Sequence, residues 1–163
     1  MKRIAKFEWV SEAQFAADYA DCFGEPIPAL PPLPRRATAG SAGYDFYLPC
    51  AVKLAPGESV KIPTGIRVRI DEGWVLKIYP RSGLGFKFRL QLNNTVGIID
   101  SDYYGADNEG HIQIKLTNDS RDGKVVDLPV GAAFAQGVFV EFGITEDDDV
   151  CTERHGGLGS TSK

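Results

Sequence analysis

Two aspartates, Asp100 and Asp102, directly follow an apolar run in the segment "GIIDSDYYG", residues 97–105. Aspartate is depleted in strands because its side chain competes for the hydrogen bonds of the backbone. The segment therefore has two interpretations. Either a buried strand, anchored in the core by Ile98 and Ile99, ends there in a polar turn, or the strand delivers a carboxylate to a site. A carboxylate held at such a place could act as a general base that takes a proton from water.

Three further stretches place polar side chains beside glycines. "AGSAGYDF" contains Asp45, and "YPRSGLGFK" joins Arg81, Ser82 and Gly83 after a strand end. Arginine, serine and backbone N–H groups are the donors that bind phosphate oxygens. The C-terminal "RHGGLGSTSK" fits no standard nucleotide motif, yet its glycines would let a backbone approach an anion closely. Each stretch alone fits a simple turn or an inert tail, whereas their co-occurrence favours an anion site.

Composition limits the class of protein. The 163 residues are 43% hydrophobic and 25% charged with a net charge of -4, which indicates one soluble domain and disfavours a general nucleic-acid or membrane-surface binder. No apolar run spans a bilayer, and the N-terminus lacks the apolar stretch of a signal peptide. Three scattered cysteines without a C-x-x-C pair favour a reducing cytoplasm. The presence of only two histidines disfavours a metal centre built from histidines.

The elements that must position these groups are mostly strands. One helix is predicted in "WVSEAQFAADYADCFGEP", with Ser11 and Gln14 as a capping box, Val10 against Phe15, and an end at Gly24 and Pro26. "PIPALPPLPRR" is either a semi-rigid linker, which is favoured, or a proline helix that docks into a partner.

Beyond residue 37, at least eight short β-rich runs alternate with turn signals, and no second helix is expected. The pattern predicts an all-β sandwich or barrel. The expected division is an N-terminal helix and proline-rich linker over residues 1–36, a β-barrel over 37–150, and a mobile C-terminal lid segment over 151–163.

Five stretches together resemble the ordered motifs of the trimeric dUTPases, namely "SAGYD", "PRSG", "GIIDSDYYG", "AFAQ" and "RHGGLGST". They span residues 41–161. The resemblance implies a distorted jelly-roll β-barrel and a homotrimer whose active sites are shared between subunits. It also implies hydrolysis of dUTP to dUMP and pyrophosphate, which keeps uracil out of DNA and supplies a thymidylate precursor. Neither nucleic acid nor membrane is implied as a partner.

The resemblance assigns roles to residues. Asp100 matches the carboxylate that activates water, and Asp102 matches a secondary, structural acid. Tyr104 is expected at the surface of the turn. Tyr103 matches the ring that stacks on deoxyribose and leaves no room for a 2′-hydroxyl. Asn94 matches the amide that reads the edge of uracil, for which its donor and acceptor suit.

On the phosphates, the matching residues are Arg81, Ser82, Gly83, Gln136, Arg154, Ser160 and Thr161. Gly97, Ile99, Gly157, Leu158 and Gly159 complete the implied substrate-binding set. The implied cofactor is Mg²⁺, bound mainly by the triphosphate, with Asp45 holding it through water and no direct protein ligand expected.

The chain departs from the family pattern at three places. Leu158 stands where the fifth motif carries a phenylalanine that stacks on uracil, and Phe86 or Phe88 could supply a ring instead. Ala132 and Ala133 replace an acid and an arginine of the fourth motif. "ADNEGH", residues 106–111, is extra material, and its His111 is expected to be a loop or strand-start residue rather than a catalytic group.

Two alternatives stay open. A dCTP deaminase, or a bifunctional deaminase–pyrophosphatase, shares the barrel, although Asp100 favours the pyrophosphatase. A catalytically weak relative that senses dUTP as a regulatory protein is disfavoured by the set Asp100, Tyr103 and Arg154, which leaves an added regulatory partner open.

Overall fold

The computed structural model describes residues 1–24, 29–152, 154 and 156–157. Its twelve strands are β1 Ala5–Trp9, β2 Arg35–Arg36, β3 Tyr44–Tyr47, β4 Val52–Leu54, β5 Ser59–Pro63, β6 Ile66–Ile70, β7 Trp74–Pro80, β8 Leu90–Leu92, β9 Gly97–Ile99, β10 Gln113–Asn118, β11 Val126–Leu128 and β12 Ala133–Glu141. The helices are α1 Glu12–Phe23, α2 Ser82–Phe88 and a 3-10 helix, Ser101–Gly105.

The strands form four antiparallel sheets around one core, in a jelly-roll-like arrangement that confirms the predicted all-β class. The largest has the order β2-β3-β12-β7-β9, and the others are β5-β10-β8, β1-β6 and β11-β4. Consecutive strands are often not neighbours, so most contacts join distant parts of the chain. Alternating inward side chains such as Phe46, Leu76, Ile78 and Phe134 fill the core and are nearly inaccessible to solvent.

One prediction about the strand before Asp100 is wrong in part. Both Ile98 and Ile99 were expected in the core, whereas Ile99 is buried and Ile98 is 52% exposed. The reason is the two-residue period of a strand, which turns neighbouring side chains to opposite faces. Gly97 is required by packing, because a Cβ there would lie 3.1 Å from Cβ of Ile78.

Helix α1 begins and ends where the sequence predicts, but its first turn is bonded differently. Ser11 Oγ accepts the N–H of Gln14, as expected. The returning half of the capping box is wrong, since the Gln14 side chain donates to Asp18 and the N–H of Ser11 donates to Glu109. Gly24 ends the helix in the left-handed conformation, and Pro26 lies outside the described residues.

The N-terminal segments pack against the barrel. Strand β1 pairs with β6 along five residues, and the indole N–H of Trp9 donates to the carbonyl of Pro31 at 2.9 Å. Val10, Phe15 and Tyr19 form a small cluster of buried side chains beneath α1, which confirms the contact predicted between Val10 and Phe15. Within the described residues, no helix is long and apolar enough to cross a membrane.

The structure adds helix α2, which the sequence did not predict. It spans only seven residues and starts immediately after Arg81. Two glycines within it, Gly83 and Gly85, lower its intrinsic helix propensity and conceal the pattern. Its single buried residue, Phe88, is the anchor that fixes the helix against the core.

Candidate active site

Asp100 lies at the junction between β9 and the 3-10 helix, and its side chain makes no capping hydrogen bond. An aspartate at this position commonly bonds the N–H groups of the first turn, which was the simpler interpretation of the sequence. Here the carboxylate is directed to the C-terminal segment instead. Oδ2 of Asp100 accepts a hydrogen bond of 2.8 Å from Nη2 of Arg154, and the Asp100 side chain is 45% exposed.

Arg154 brings together the residues of this region. Its Nε lies 3.1 Å from Oδ1 of Asp102, and its guanidinium carbon lies 5.7 Å from the centre of the Tyr103 ring. The Arg154 side chain is 18% exposed. A guanidinium held by two carboxylates and a ring face is oriented for planar contacts with anions. We call Asp100, Asp102, Tyr103 and Arg154 the acid end of the site.

The hydroxyl group of Tyr103 is held by two hydrogen bonds. Its hydroxyl donates to the carbonyl of His111 at 2.9 Å and accepts the side-chain N–H of Asn108 at 2.8 Å. Burial raises the pKa of the Tyr103 phenol above its ordinary value, with a smaller opposing effect from the Asn108 hydrogen bond. Tyr104, expected on the surface, is partly buried and donates to Glu8 at 2.6 Å beneath the guanidinium of Arg67.

The extra segment "ADNEGH", which we call the insertion, supports this end from below. The Glu109 carboxylate accepts both the N–H and the hydroxyl of Ser11, and these bonds lower the pKa of Glu109. His111 is fully buried, where Nε2 accepts the N–H of Gly65 and Nδ1 contacts Asp18. Burial is the main cause that lowers the pKa of His111. His111 is therefore a structural residue at the start of β10.

A second group of predicted residues gathers on the large sheet. Nε of Arg81 lies 3.3 Å from Oδ1 of Asp45, whose side chain is only 15% exposed. Gln136 on β12 stands opposite Asp45 on β3 and opposite Tyr79 on β7. A Cβ at Gly43 would lie 2.7 Å from Oε1 of Gln136, so the missing side chain makes room for that amide. We call Asp45, Arg81 and Gln136 the clamp end.

The acid end and the clamp end lie at opposite ends of strand β7. Antiparallel pairing sets Ile99 opposite Leu76, so Asp100 follows at the level of Val75. Arg81 follows the last residue of β7. Six residues of extended strand separate these levels by roughly 20 Å. A single chain therefore assembles the acid end and the clamp end separately, and the two ends do not lie beside each other.

Comparisons with known proteins identify the family. The dUTPase family model matches residues 31–162. A deoxyuridine 5′-triphosphate nucleotidohydrolase of Lactococcus lactis is 42% identical over 132 residues, covering 79% of this chain and 87% of that relative. One from Escherichia coli O9:H4 is 39% identical over 140 residues, covering 81% and 88%.

The chain belongs to the dUTPase family. A crystal structure of dUTPase from Streptococcus mutans superposes with a TM-score of 0.64 at 32% identity, covering 86% of this chain and 98% of that one. The expected family, jelly-roll-like fold and dUTP-hydrolysing activity are confirmed by these matches.

The remaining residues of the dUTPase motifs are spread over both ends. Ser82 and Gly83 form the exposed first turn of α2 beside Arg81. Asn94 is exposed in the tight turn before β9, where Thr95 adopts a left-handed conformation. Gly97 and Ile99 are buried in β9, and Gly157 lies beside Asn108. Leu158, Gly159, Ser160 and Thr161 lie outside the described residues.

The two rings considered as substitutes for the dUTPase lid phenylalanine differ in position. Phe88 is 7% exposed and belongs to the core, so the suggestion that it covers a base is wrong. Phe86 is 93% exposed on α2 and stays available.

The oxygen donors fit a magnesium ion carried by the substrate. No group of three or more metal-ligating side chains occurs among the described residues, and Asp45 is a single carboxylate beside a guanidinium. Magnesium keeps several waters and often relies on one or two carboxylates together with phosphates. Asp45 has the chemistry to hold such an ion through water, next to the arginine predicted to bind phosphate.

Sequence reasoning missed three residues that support the acid end, namely Asp18, Asn108 and Glu109. The signal was present in the insertion, which carries an amide and two acids at a place where a plain turn would suffice. Asp18 on α1 contacts His111, Asn108 donates to the Tyr103 hydroxyl, and Glu109 accepts from Ser11 before α1. No local pattern indicates these contacts.

Proposed function

We propose that this dUTPase hydrolyses dUTP to dUMP and pyrophosphate by attack of water on the α-phosphorus, with Asp100 as the general base. The half-exposed carboxylate supports this role, because water can reach it and no capping bond engages it. Arg154 already bonds Asp100 in the isolated chain. The triphosphate offers Arg154 a competing anion, so we expect nucleotide binding to open the ion pair and free the carboxylate for water.

Tyr103 is proposed as the surface on which the deoxyribose rests. Its hydroxyl is fixed at both hydrogen-bonding positions, which supports a ring that holds its orientation when a sugar presses on it. A rigid ring leaves no room for a 2′-hydroxyl, and this would exclude UTP. Asn94 is proposed to read uracil, supported by an exposed amide that carries both a donor and an acceptor.

The clamp end is proposed to bind the phosphates through Arg81, Ser82, Gly83 and Gln136. Serine and backbone N–H donors at the start of α2 would complement the Arg81 guanidinium. Magnesium, when bound, supplies neutralisation of the phosphate charge, and Asp45 would hold it through water. Ser160 and Thr161 remain predicted contacts of the γ-phosphate, with Arg154 beside them.

The active site is proposed to form between copies of the chain in a homotrimer. The observation that carries this proposal is the separation of Asp100 and Arg81 at opposite ends of β7, roughly 20 Å apart along the strand, although the proposed base and the phosphate-binding residues must act on the same triphosphate. Apolar side chains left exposed near both ends, Ile98 and Phe86, support burial against a neighbour. A cytoplasmic location, a role in keeping uracil out of DNA and an added regulatory partner remain predictions.

Pyrophosphate release from dUTP, dTTP, dCTP and UTP, with magnesium, tests the reaction and its specificity. We expect dUTP alone to be turned over efficiently. Ammonia released from dCTP would instead reveal the deaminase chemistry. A pull-down with and without dUTP would detect a nucleotide-dependent partner.

Mixing two variants, each of them inactive at a dUTP concentration far below KM, tests the shared site. Asp100→Asn and Arg81→Ala chains are each purified, unfolded together and refolded as mixed oligomers. If Asp100 and Arg81 of one site come from different chains, about a quarter of the sites regain both native residues. Light scattering confirms the trimer in each sample. If the mixture stays inactive although both variants assemble, the shared-site proposal is wrong.

A further inference from the structure

We propose that Asn108 is a positioning residue, which locks the Tyr103 ring in one orientation. Its place in the insertion sets it apart from every dUTPase motif in this sequence. The inference rests on the proposed role of Tyr103 at the sugar, and it concerns how that ring is held.

The first observation is the direction of the Asn108 amide. The Tyr103 hydroxyl gives its only proton to the carbonyl of His111, so it can accept a proton but not donate another. Its second partner must therefore be a donor, and this assigns the amide nitrogen of Asn108 to the contact of 2.8 Å. The amide oxygen of Asn108 therefore does not take part in the contact with Tyr103.

The second observation is that this oxygen is buried without a partner. Among the described residues, Oδ1 of Asn108 has no hydrogen-bond partner, and a buried acceptor of this kind is destabilising. A Cβ built on Gly157 would lie 3.5 Å from both Cγ and Nδ2 and 3.6 Å from Oδ1 of Asn108, so Gly157 lies against the flat side of the amide and not in line with the open acceptor. The stability of the fold therefore does not explain the orientation of this amide, whereas the bond to Tyr103 does.

The bond from Asn108 leads to a group proposed to touch the nucleotide. The carbonyl of His111 and the amide of Asn108 together occupy both hydrogen-bonding positions of the Tyr103 hydroxyl. Without the amide, the hydroxyl keeps a single partner and the ring loses one of its two fixed contacts. Asn108 therefore sets the orientation of the ring, and the dUTP preference depends on it although it touches no substrate atom.

The test compares Asn108→Leu, which removes donor and acceptor, with Asp107→Leu at the exposed neighbouring position. The measurements are kcat and KM for dUTP and UTP, together with the melting temperature. We expect Asn108→Leu to raise KM for dUTP about tenfold and to lower the dUTP-over-UTP preference by a similar factor, the size of one lost bond to a buried group. Asp107→Leu should change neither. Unchanged KM and preference in a folded Asn108→Leu protein would overturn the proposal.

A double-mutant cycle with Tyr103→Phe tests whether Asn108 acts through the hydroxyl. Phenylalanine lacks the hydroxyl, so adding Asn108→Leu should not lower the dUTP-over-UTP preference further. Additive losses of preference would contradict the assignment.

Tyr103→Ala distinguishes this inference from the role on which it rests. If Tyr103→Ala keeps the preference for dUTP, the sugar role of Tyr103 is wrong. If Tyr103→Ala loses the preference while Asn108→Leu keeps it, the role of Asn108 alone is wrong.

Discussion

The clamp end and the acid end are built by different means. Asp45 and Gln136 are held by the strand register of β3 and β12, and Arg81 follows β7 of the same sheet. At the acid end, only Asp100 follows directly on a strand, while Tyr103 and Arg154 depend on side-chain bonds from the insertion and the C-terminal segment. The clamp is therefore fixed by the barrel itself, whereas the acid end is assembled from loops.

This difference matters because the two ends have different proposed tasks. Phosphate binding needs fixed donors that stay in place in every step, which strands provide. Water activation needs a carboxylate that can exchange its partner, and the Asp100 carboxylate, which is 45% exposed, can be reached by water as well as by Arg154. We expect variants at the clamp end to change affinity and variants at the acid end to change turnover.

The largest expected effect is that of Asp100→Asn. The amide cannot take a proton from water, so kcat should fall by a factor of about 10² to 10⁴. Binding of α,β-imido dUTP, measured by calorimetry, should be nearly unchanged.

Asp102→Asn is the matched control, because Asp102 shares the same arginine at 3.1 Å but has no proposed part in the chemistry. A loss of turnover in Asp102→Asn as large as that in Asp100→Asn would contradict the assignment of the base.

The clamp end is tested by Gly43→Ala. The new Cβ would lie 2.7 Å from Oε1 of Gln136, the far end of a flexible side chain, so the amide must move while the fold is kept. We expect KM for dUTP to rise about tenfold, as for one displaced hydrogen bond, with kcat little changed. Gly40→Ala, which meets nothing within 4 Å, is the control. A fall in kcat with unchanged KM would remove the distinction between the two ends.

The pH dependence of stability tests the support beneath the acid end. Burial lowers the pKa of His111 below its ordinary 6.5, with Asp18 and Glu109 acting in the opposite direction. The unfolded chain therefore binds the proton first as pH falls. The stability that neutral His111 contributes to the folded state is fully present above pH 6.5. It is lost as the pH falls below 6.5, by at most about 1.4 kcal/mol per pH unit.

Urea unfolding between pH 5.5 and 7.5, at one protein concentration, measures this slope. His155→Gln serves as the background, so that His111 is the only histidine, and His111→Gln in that background should flatten the curve. A slope that is equal in both proteins would exclude His111 as its source.

The sequence predicted the clamp end better than the acid end. Strand alternation and the five motifs placed Asp45, Arg81 and Gln136 on elements whose pairing then aligned them. At the acid end, the sequence indicated Asp100 and Tyr103 but neither Asn108 nor the link from Glu109 to Ser11. The link from Glu109 joins residues 98 positions apart, and the contact of Asn108 with Tyr103 depends on how the insertion folds back; local periodicity encodes neither.

The smallest expected effect concerns the covering of uracil, where Leu158 replaces the usual phenylalanine. If no ring covers the base, Leu158→Phe should lower KM for dUTP several-fold, a modest part of the about 1–3 kcal/mol of a full base stack. Phe86 is the remaining ring with enough exposure to serve, since Phe88 is buried. If Phe86 covers the base instead, Phe86→Leu should raise KM in the native chain and leave it unchanged in the Leu158→Phe chain. If Leu158→Phe has no effect while Phe86→Leu raises KM, the ring comes from α2, and the clamp end also takes part in reading the base.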